Sequence, residues 1–216
     1  MTGFELSLLS ASFVTFFVVI DPIGVAPIFA ALTDQSSAKH RRAMAIKSVL
    51  IATGVLLLFA YLGEWLLGAL HISLDAFRAA GGVLLFMIAL DMIFEKRTER
   101  REERVENMTH EDGTPVTSEE DISVFPMAIP LLAGPGAIAS VMLFMSGDGT
   151  TLGGQVALLA GLGANLLLCL IIFLAVGPLM RLIGDTLAAM ITRILGVILA
   201  ALAAQFIFDG IAGALL

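Results

Sequence analysis

An acid, two prolines and a glycine interrupt the first long apolar stretch of the sequence. Asp21, Pro22, Gly24 and Pro27 lie near its middle. Proline has no N–H, and its ring clashes with the carbonyl four residues earlier, so a regular helix cannot run through it. An aspartate directly before a proline can cap a new helix that has the proline at its first position. The pattern predicts that one half-helix ends and a second begins here.

Asp21 is the clearest candidate for chemistry, because an ionisable side chain at membrane depth is costly and is therefore a functional candidate. Its carboxylate could bind a cationic group such as the ammonium of an amino acid, or carry a proton or an ion. It could equally cap the second half-helix, and the capping and binding roles are compatible. The N–H groups at the start of that half-helix would favour an anion such as a carboxylate.

A second interruption, Ala133-Gly134-Pro135-Gly136, follows about 113 residues later. Gly24, Gly134 and Gly136 permit a close approach of the backbone to a ligand. We therefore expect a substrate site built from Asp21, Pro22, Gly24, Gly134, Pro135 and Gly136, where two helix starts converge on a small zwitterion or anion. The alternative is that both interruptions are packing kinks.

Two amides, Asn165 and Gln205, lie deep in later apolar stretches. We expect both side chains to face the protein interior, as hydrogen-bonding links between helices or as substrate contacts. The histidines lack the spacing of a metal site, and the chain has a single cysteine. Because no hydrolase, protease or nucleotide-binding motif occurs either, the sequence predicts no enzyme, no metal and no cofactor.

The composition is that of a polytopic membrane protein. Hydrophobic residues make up 58% of the 216 residues, charged residues 14%, and the mean hydropathy is +0.98. Soluble domains carry about 25% charged residues. No basic patch supports a nucleic-acid partner, so the expected partners are the lipid bilayer and a small molecule.

Six apolar stretches are long enough to cross a bilayer, which takes about 20 residues. They cover residues 5–32, 43–67, 74–95, 122–145, 154–180 and 189–214. We divide the chain into a first transmembrane repeat (1–95), a cytoplasmic charged linker (96–121) and a second transmembrane repeat (122–216).

The basic residues predict the orientation, since Lys and Arg are retained on the cytoplasmic side. Eleven of the twelve flank alternate connections, namely the first, third and fifth, and Arg78 is the exception. Both termini are therefore expected outside the cytoplasm.

The two halves also resemble each other. Phe77-Arg78-Ala79-Ala80-Gly81-Gly82-Val83 aligns with Thr192-Arg193-Ile194-Leu195-Gly196-Val197-Ile198. Because each half contributes three spans, an odd number, the second copy must be inverted. The predicted fold is an all-α polytopic membrane protein of two inverted three-helix repeats, each with its first helix broken mid-membrane, as in many secondary transporters.

Two segments resemble the hallmark sequences of the MarC family, six-span inner-membrane proteins also called the neutral amino acid transporter family. They are Phe17–Phe29, which contains Asp21-Pro22-Ile23-Gly24, and Phe125–Ile138, which contains Ala133-Gly134-Pro135-Gly136. The resemblance covers the whole chain. It implies transport of small neutral amino acids such as glycine, alanine or serine across the inner (plasma) membrane, coupled to H⁺ or Na⁺. The alternatives are a passive channel, an exporter of small solutes, and an envelope-associated protein without amino acid flux.

Overall fold

The computed structural model describes residues 3–34, 36–94, 121–146 and 151–215, with backbone only for 180–185. Every element in these ranges is helical, and the predicted linker 96–121 lies outside them except for Asp121. In chain order the helices are α1 (Gly3–Ile20), α2 (Pro22–Leu32), α3 (Ala38–Ala69), α4 (Leu74–Ile93), α5 (Ser123–Leu132), α6 (Pro135–Ser146), α7 (Leu152–Leu174) and α8 (Val176–Leu215).

Five helical stretches of the described chain are long and apolar enough to cross a membrane. They are Gly3–Leu32, Ala38–Ala69, Leu74–Ile93, Leu152–Leu174 and Thr186–Leu215. The α5–α6 pair, bent by 56° at its junction, would be a sixth if it forms one span. The fold is thus an all-helical membrane protein with five or six candidate spans. The inverted repeat and the mid-membrane position of the two interruptions stay predictions.

Serine and threonine caps begin three of the helices. Ser37, Ser73 and Thr151 precede α3, α4 and α7, and each side chain accepts a hydrogen bond from the N–H three residues further on. Each cap satisfies one of the N–H groups that a helix start leaves without a partner. The caps fix where these spans begin.

The connection between the last two helices differs from the expected one. The sequence predicts a span over 154–180 and a loop before residue 189, but α7 ends at Leu174 and α8 begins at Val176. Pro178 explains the position of the turn. A proline is tolerated in the first turn of a helix, where its missing N–H would have no partner, and it disfavours continuation of the preceding one.

Helix α5 is irregular because of its two prolines. Phe125 and Ile129, directly before Pro126 and Pro130, have extended backbone angles inside the helix. The ring of a proline disfavours helical angles in the residue before it. The chain therefore approaches the α5–α6 junction through wide turns rather than a regular α-helix.

Helices α4 and α8 pack closely through glycines. A Cβ on Gly82 would lie 2.9 Å from the carbonyl oxygen of Ala203 and from the nitrogen of Ile207. A Cβ on Gly196 would lie 3.1 Å from the carbonyl oxygen of Ala89. Such small residues let two membrane helices approach until their backbones are in contact.

A polar contact holds α3 to the start of α5. The Nζ of Lys47 donates to Oδ2 of Asp121 at 2.9 Å, and the other carboxylate oxygen accepts from both the hydroxyl and the N–H of Ser123. These hydrogen bonds, first those from the Ser123 hydroxyl and Lys47, lower the pKa of Asp121 to about 2. The carboxylate is thus charged at any physiological pH.

Candidate functional site at the Asp21 interruption

Asp21 is the single residue between α1 and α2. Its backbone is left-handed, with φ 56° and ψ 65°, a conformation that aspartate adopts more readily than most residues. Oδ1 accepts a hydrogen bond from the N–H of Gly24 at 3.1 Å, so the side chain caps the helix that Pro22 begins. The capping that the sequence predicts is therefore present.

Gly24 gives the Asp21 carboxylate its space. A Cβ at position 24 would collide with Oδ2 and Cγ of Asp21. The carboxylate therefore lies directly against the first turn of α2, over a residue without a side chain. Any larger residue at position 24 would have to displace the carboxylate.

Asp21 is fully buried, with 0% of its surface exposed. Apolar neighbours in sequence, Val19, Ile20 and Val25, are buried with it. A carboxylate in such surroundings is stable only with hydrogen bonds or a compensating positive charge. The hydrogen bond from the Gly24 N–H provides part of this stabilisation.

Thr192 of α8 is a site residue that the sequence reasoning did not identify. Its hydroxyl lies 3.3 Å from Oδ1 and 3.5 Å from Oδ2 of Asp21 and donates to the carboxylate. Thr192 is 3% exposed. The contact joins the first half of the chain to the second. Its only signal in the sequence is its place beside Arg193 in the repeated segment.

The second interruption lies next to the end of α1. Pro135 is the first residue of α6, and a Cβ on Gly134 would lie 2.5 Å from the carbonyl oxygen of Pro130. A Cβ on Gly136 would lie 3.1 Å from Cγ1 of Val19, two residues before Asp21. The absence of a side chain at Gly136 thus lets α6 pack against the last turn of α1, and its absence at Gly134 makes room for the end of α5.

Asn165 is buried, as expected, and links two helices. Its Nδ2 donates to the carbonyl oxygens of Phe13 at 2.8 Å and of Gly161 at 3.1 Å, which joins α7 to α1. Within the described residues its Oδ1 has no hydrogen-bond partner. The geometry is that of a link between helices, and no hydrogen bond connects the amide to Asp21.

Gln205 does not face the interior, contrary to our expectation. It lies on an exposed part of α8 and donates from Nε2 to Oδ1 of Asp209 at 2.7 Å. An amide and a carboxylate four residues apart on one helix face satisfy each other locally. Gln205 therefore needs no partner on another helix, and the structure does not bring it to the Asp21 carboxylate.

No group of three or more His, Cys, Asp or Glu side chains that could hold a metal ion occurs among the described residues. The candidate site is therefore centred on the Asp21 carboxylate, which accepts hydrogen bonds from the Gly24 N–H and the Thr192 hydroxyl. The second interruption lies beside it.

The sequence profile described as the MarC family integral membrane protein matches residues 6–215. The chain belongs to the MarC family. Related proteins of this family include UPF0056 membrane proteins of Methanocaldococcus jannaschii (35% identical over 95% of this chain and 96% of the relative) and Archaeoglobus fulgidus (35%, covering 96% and 93%). The Bacillus subtilis UPF0056 membrane protein YvbG is 33% identical, over 93% of this chain and 92% of the relative. No solved structure gives a significant match.

Membership in the MarC family confirms the resemblance drawn from the two hallmark segments and agrees with the multi-pass helical fold. The relatives share one name, UPF0056 membrane protein, which specifies no substrate. The function of this MarC family protein has therefore to be argued from the site.

Proposed function

We propose that this MarC family protein is a secondary transporter of small neutral amino acids, of the glycine, alanine and serine class, coupled to a H⁺ or Na⁺ gradient. The fold consists of two inverted repeats of three spans each, α1–α4 and α5–α8, in which α1–α2 and α5–α6 are the broken first spans. The substrate binds between the two interruptions. The observation that carries the proposal is the fully buried Asp21 carboxylate, held between α2 and α8 beside the second interruption.

The pattern of helix contacts supports the inverted repeat. Helix α1 packs on α7, and its counterpart α5 packs on α3. Helix α2 packs on α7 and α8, and its counterpart α6 packs on α3 and α4. Helix α1 also contacts α6 and α8, and two further pairs, α3 with α7 and α4 with α8, join equivalent helices of the two halves. A two-fold axis that exchanges the halves would generate these pairs, and transporters with such repeats bind substrate at the repeat interface.

The polarity of the site fits a zwitterion. Asp21 would receive the substrate ammonium or the coupled cation, and the N-terminus of α6 at Gly134 and Pro135 would receive the carboxylate. A Cβ on Gly136 would lie 3.1 Å from Cγ1 of Val19, two residues before Asp21, which supports the proximity of these two groups. The alignment of the halves puts Phe77 where the second half has Thr192, so the polar pair exists on one side of the site only.

The burial of Asp21 favours a carrier over an open pore. A channel that conducts small polar solutes would expose its polar lining to water, whereas Asp21 is 0% exposed. In an alternating-access carrier, the same carboxylate becomes accessible from one side at a time. The hydrogen bond from the Thr192 hydroxyl to Asp21 then breaks during transport.

The test is uptake of labelled glycine, alanine and serine into proteoliposomes, with H⁺ and Na⁺ gradients imposed separately. We expect accumulation against the substrate gradient under one of the two ion gradients. Asp21→Asn should lower uptake by at least about tenfold, because a hydrogen bond to a charged group contributes about 1.5–3 kcal/mol. Thr192→Val keeps the side-chain shape and should give a smaller loss.

Asp209→Asn is the matched control, since Asp209 is an exposed acid on α8 and its neutral variant should transport normally. Normal uptake by Asp21→Asn would contradict the role of the carboxylate. Equilibration without accumulation would identify a passive channel. Absence of flux for every amino acid would favour an exporter of other solutes or an envelope-associated role.

A further inference from the structure

A cavity of about 320 Å³ lies where the start of α3 meets the end of α7. Ala38, Arg41, Arg42 and Leu174 line it. Its volume is at the lower end of the range for small-molecule sites, about 300–1,000 Å³. The two arginines and the leucine give it both cationic and apolar lining residues.

The described residues leave hydrogen-bonding capacity of both arginines unused. Arg41 donates from Nη2 to the carbonyl oxygen of Thr33 at 3.0 Å, but its Nε is buried without a hydrogen-bond partner in the described ranges. Arg42 is exposed and makes no hydrogen bond or ion pair with the described residues. A buried guanidinium donor without a partner is costly. An anion in the cavity would remove that cost.

An apolar strip on α7 leads to the cavity. Leu167, Ile171 and Leu174 are 56%, 53% and 46% exposed and follow one another at helical spacing on one face. In a membrane protein this face contacts acyl chains. A ligand with an anionic head and an apolar tail would therefore fill the cavity with its head and cover the strip with its tail.

We propose that this cavity binds the phosphate of an anionic phospholipid, with the headgroup between Arg41 and Arg42 and an acyl chain along Leu167, Ile171 and Leu174. Guanidinium groups bind phosphate oxygens through paired, charge-assisted hydrogen bonds. Basic pockets between transmembrane helices bind lipid headgroups for this reason. The site is separate from Asp21, and the inference does not depend on the transported substrate.

The test measures lipid retention by the full-length protein. The purified chain is exchanged into phosphatidylcholine nanodiscs that contain phosphatidylglycerol, extracted into mild detergent, and its bound lipid is counted by native mass spectrometry. We expect selective retention of phosphatidylglycerol by the wild type and about tenfold weaker retention by Arg42→Ala, which loses charged donors. Ala38→Phe fills the cavity without altering charge and should cause a similar loss.

Lys39→Ala is the matched control, because Lys39 is exposed and adjacent but does not line the cavity. Arg41 is left intact, since it also binds the Thr33 carbonyl. An equal loss in Lys39→Ala would mean diffuse surface charge and overturn the proposal, as would full retention by Ala38→Phe. A second arm adds free glycerol phosphate. Binding of that anion with no retention of phosphatidylglycerol would assign the cavity to a soluble phosphate and overturn the proposal of a lipid site.

Discussion

Helices α1 and α7 approach each other closely at Gly161, and a single methyl group there should separate them. A Cβ at this position would lie 2.9 Å from the nitrogen of Phe13 and 3.0 Å from the carbonyl oxygen of Leu9, and would also collide with the Ser12 hydroxyl. A hydroxyl can rotate away, but the two backbone atoms cannot. Gly161→Ala therefore forces α1 to move.

The cost has two parts. Overpacking of a well-packed interface costs about 1–3 kcal/mol. Movement of α1 also stretches the hydrogen bond from Asn165 to the Phe13 carbonyl, and such bonds between membrane helices contribute about 0.6 kcal/mol on average. Gly163 is the matched control, because a Cβ there meets nothing within 4 Å. Both variants gain the same helix propensity, so the expected difference in unfolding free energy is about 1.5–3.5 kcal/mol.

The assay uses steric trapping to measure the reversible unfolding of the wild type and the two variants in bicelles. We expect Gly163→Ala to match or exceed the wild type in free energy of unfolding and Gly161→Ala to fall below Gly163→Ala by the calculated amount. Equal stability of the two variants, within about 0.5 kcal/mol, would refute the close α1–α7 contact. It would also refute the role of Asn165 as a link that depends on it.

Two further predictions concern other contacts. Gly82→Ala should destabilise the α4–α8 pair by about 1–3 kcal/mol, because its Cβ would meet the backbone of α8. Gly54→Ala is the control, since a Cβ there meets nothing within 4 Å, and the same unfolding assay compares the two variants. The lowered pKa of Asp121, about 2 against 3.8, means that its contacts with Lys47 and Ser123 stabilise the fold fully above about pH 4 and progressively less as the pH falls toward 2. The Lys47 and Asp121 side chains are about half exposed, so we expect an effect below about 1 kcal/mol. It should be visible as a loss of thermal stability over that pH range that Asp121→Asn abolishes.

Local chemistry in the sequence accounts for much of the site. Asp21 before Pro22 predicts a capped helix start, and the structure has that cap, with Gly24 as the donor. Pro135 after Gly134 likewise predicts the start of α6. Each of these inferences involves residues within about one helical turn, where steric rules decide the outcome.

Contacts between distant segments could not be predicted in the same way. Thr192 lies 171 positions from Asp21, and hydropathy does not specify which face of α8 is turned toward α2. The same limitation made the prediction for Gln205 wrong, since an amide in an apolar stretch can be satisfied by Asp209 on its own helix. The turn at Ala175 was also misplaced, because uninterrupted hydropathy masked the signal of Pro178.

The two interruptions begin their second helices alike, with a proline first, but their packing makes them chemically unequal. At the first, a side chain is required, because Asp21 accepts the Gly24 N–H and the Thr192 hydroxyl. At the second, a side chain is excluded, because the Pro130 carbonyl lies 2.5 Å from where a Cβ on Gly134 would sit. An aspartate could not occupy position 134 without displacing α5. The presence of charge at one interruption and its absence at the other thus follow from the packing, and the proposed ligand between them would meet a defined polarity.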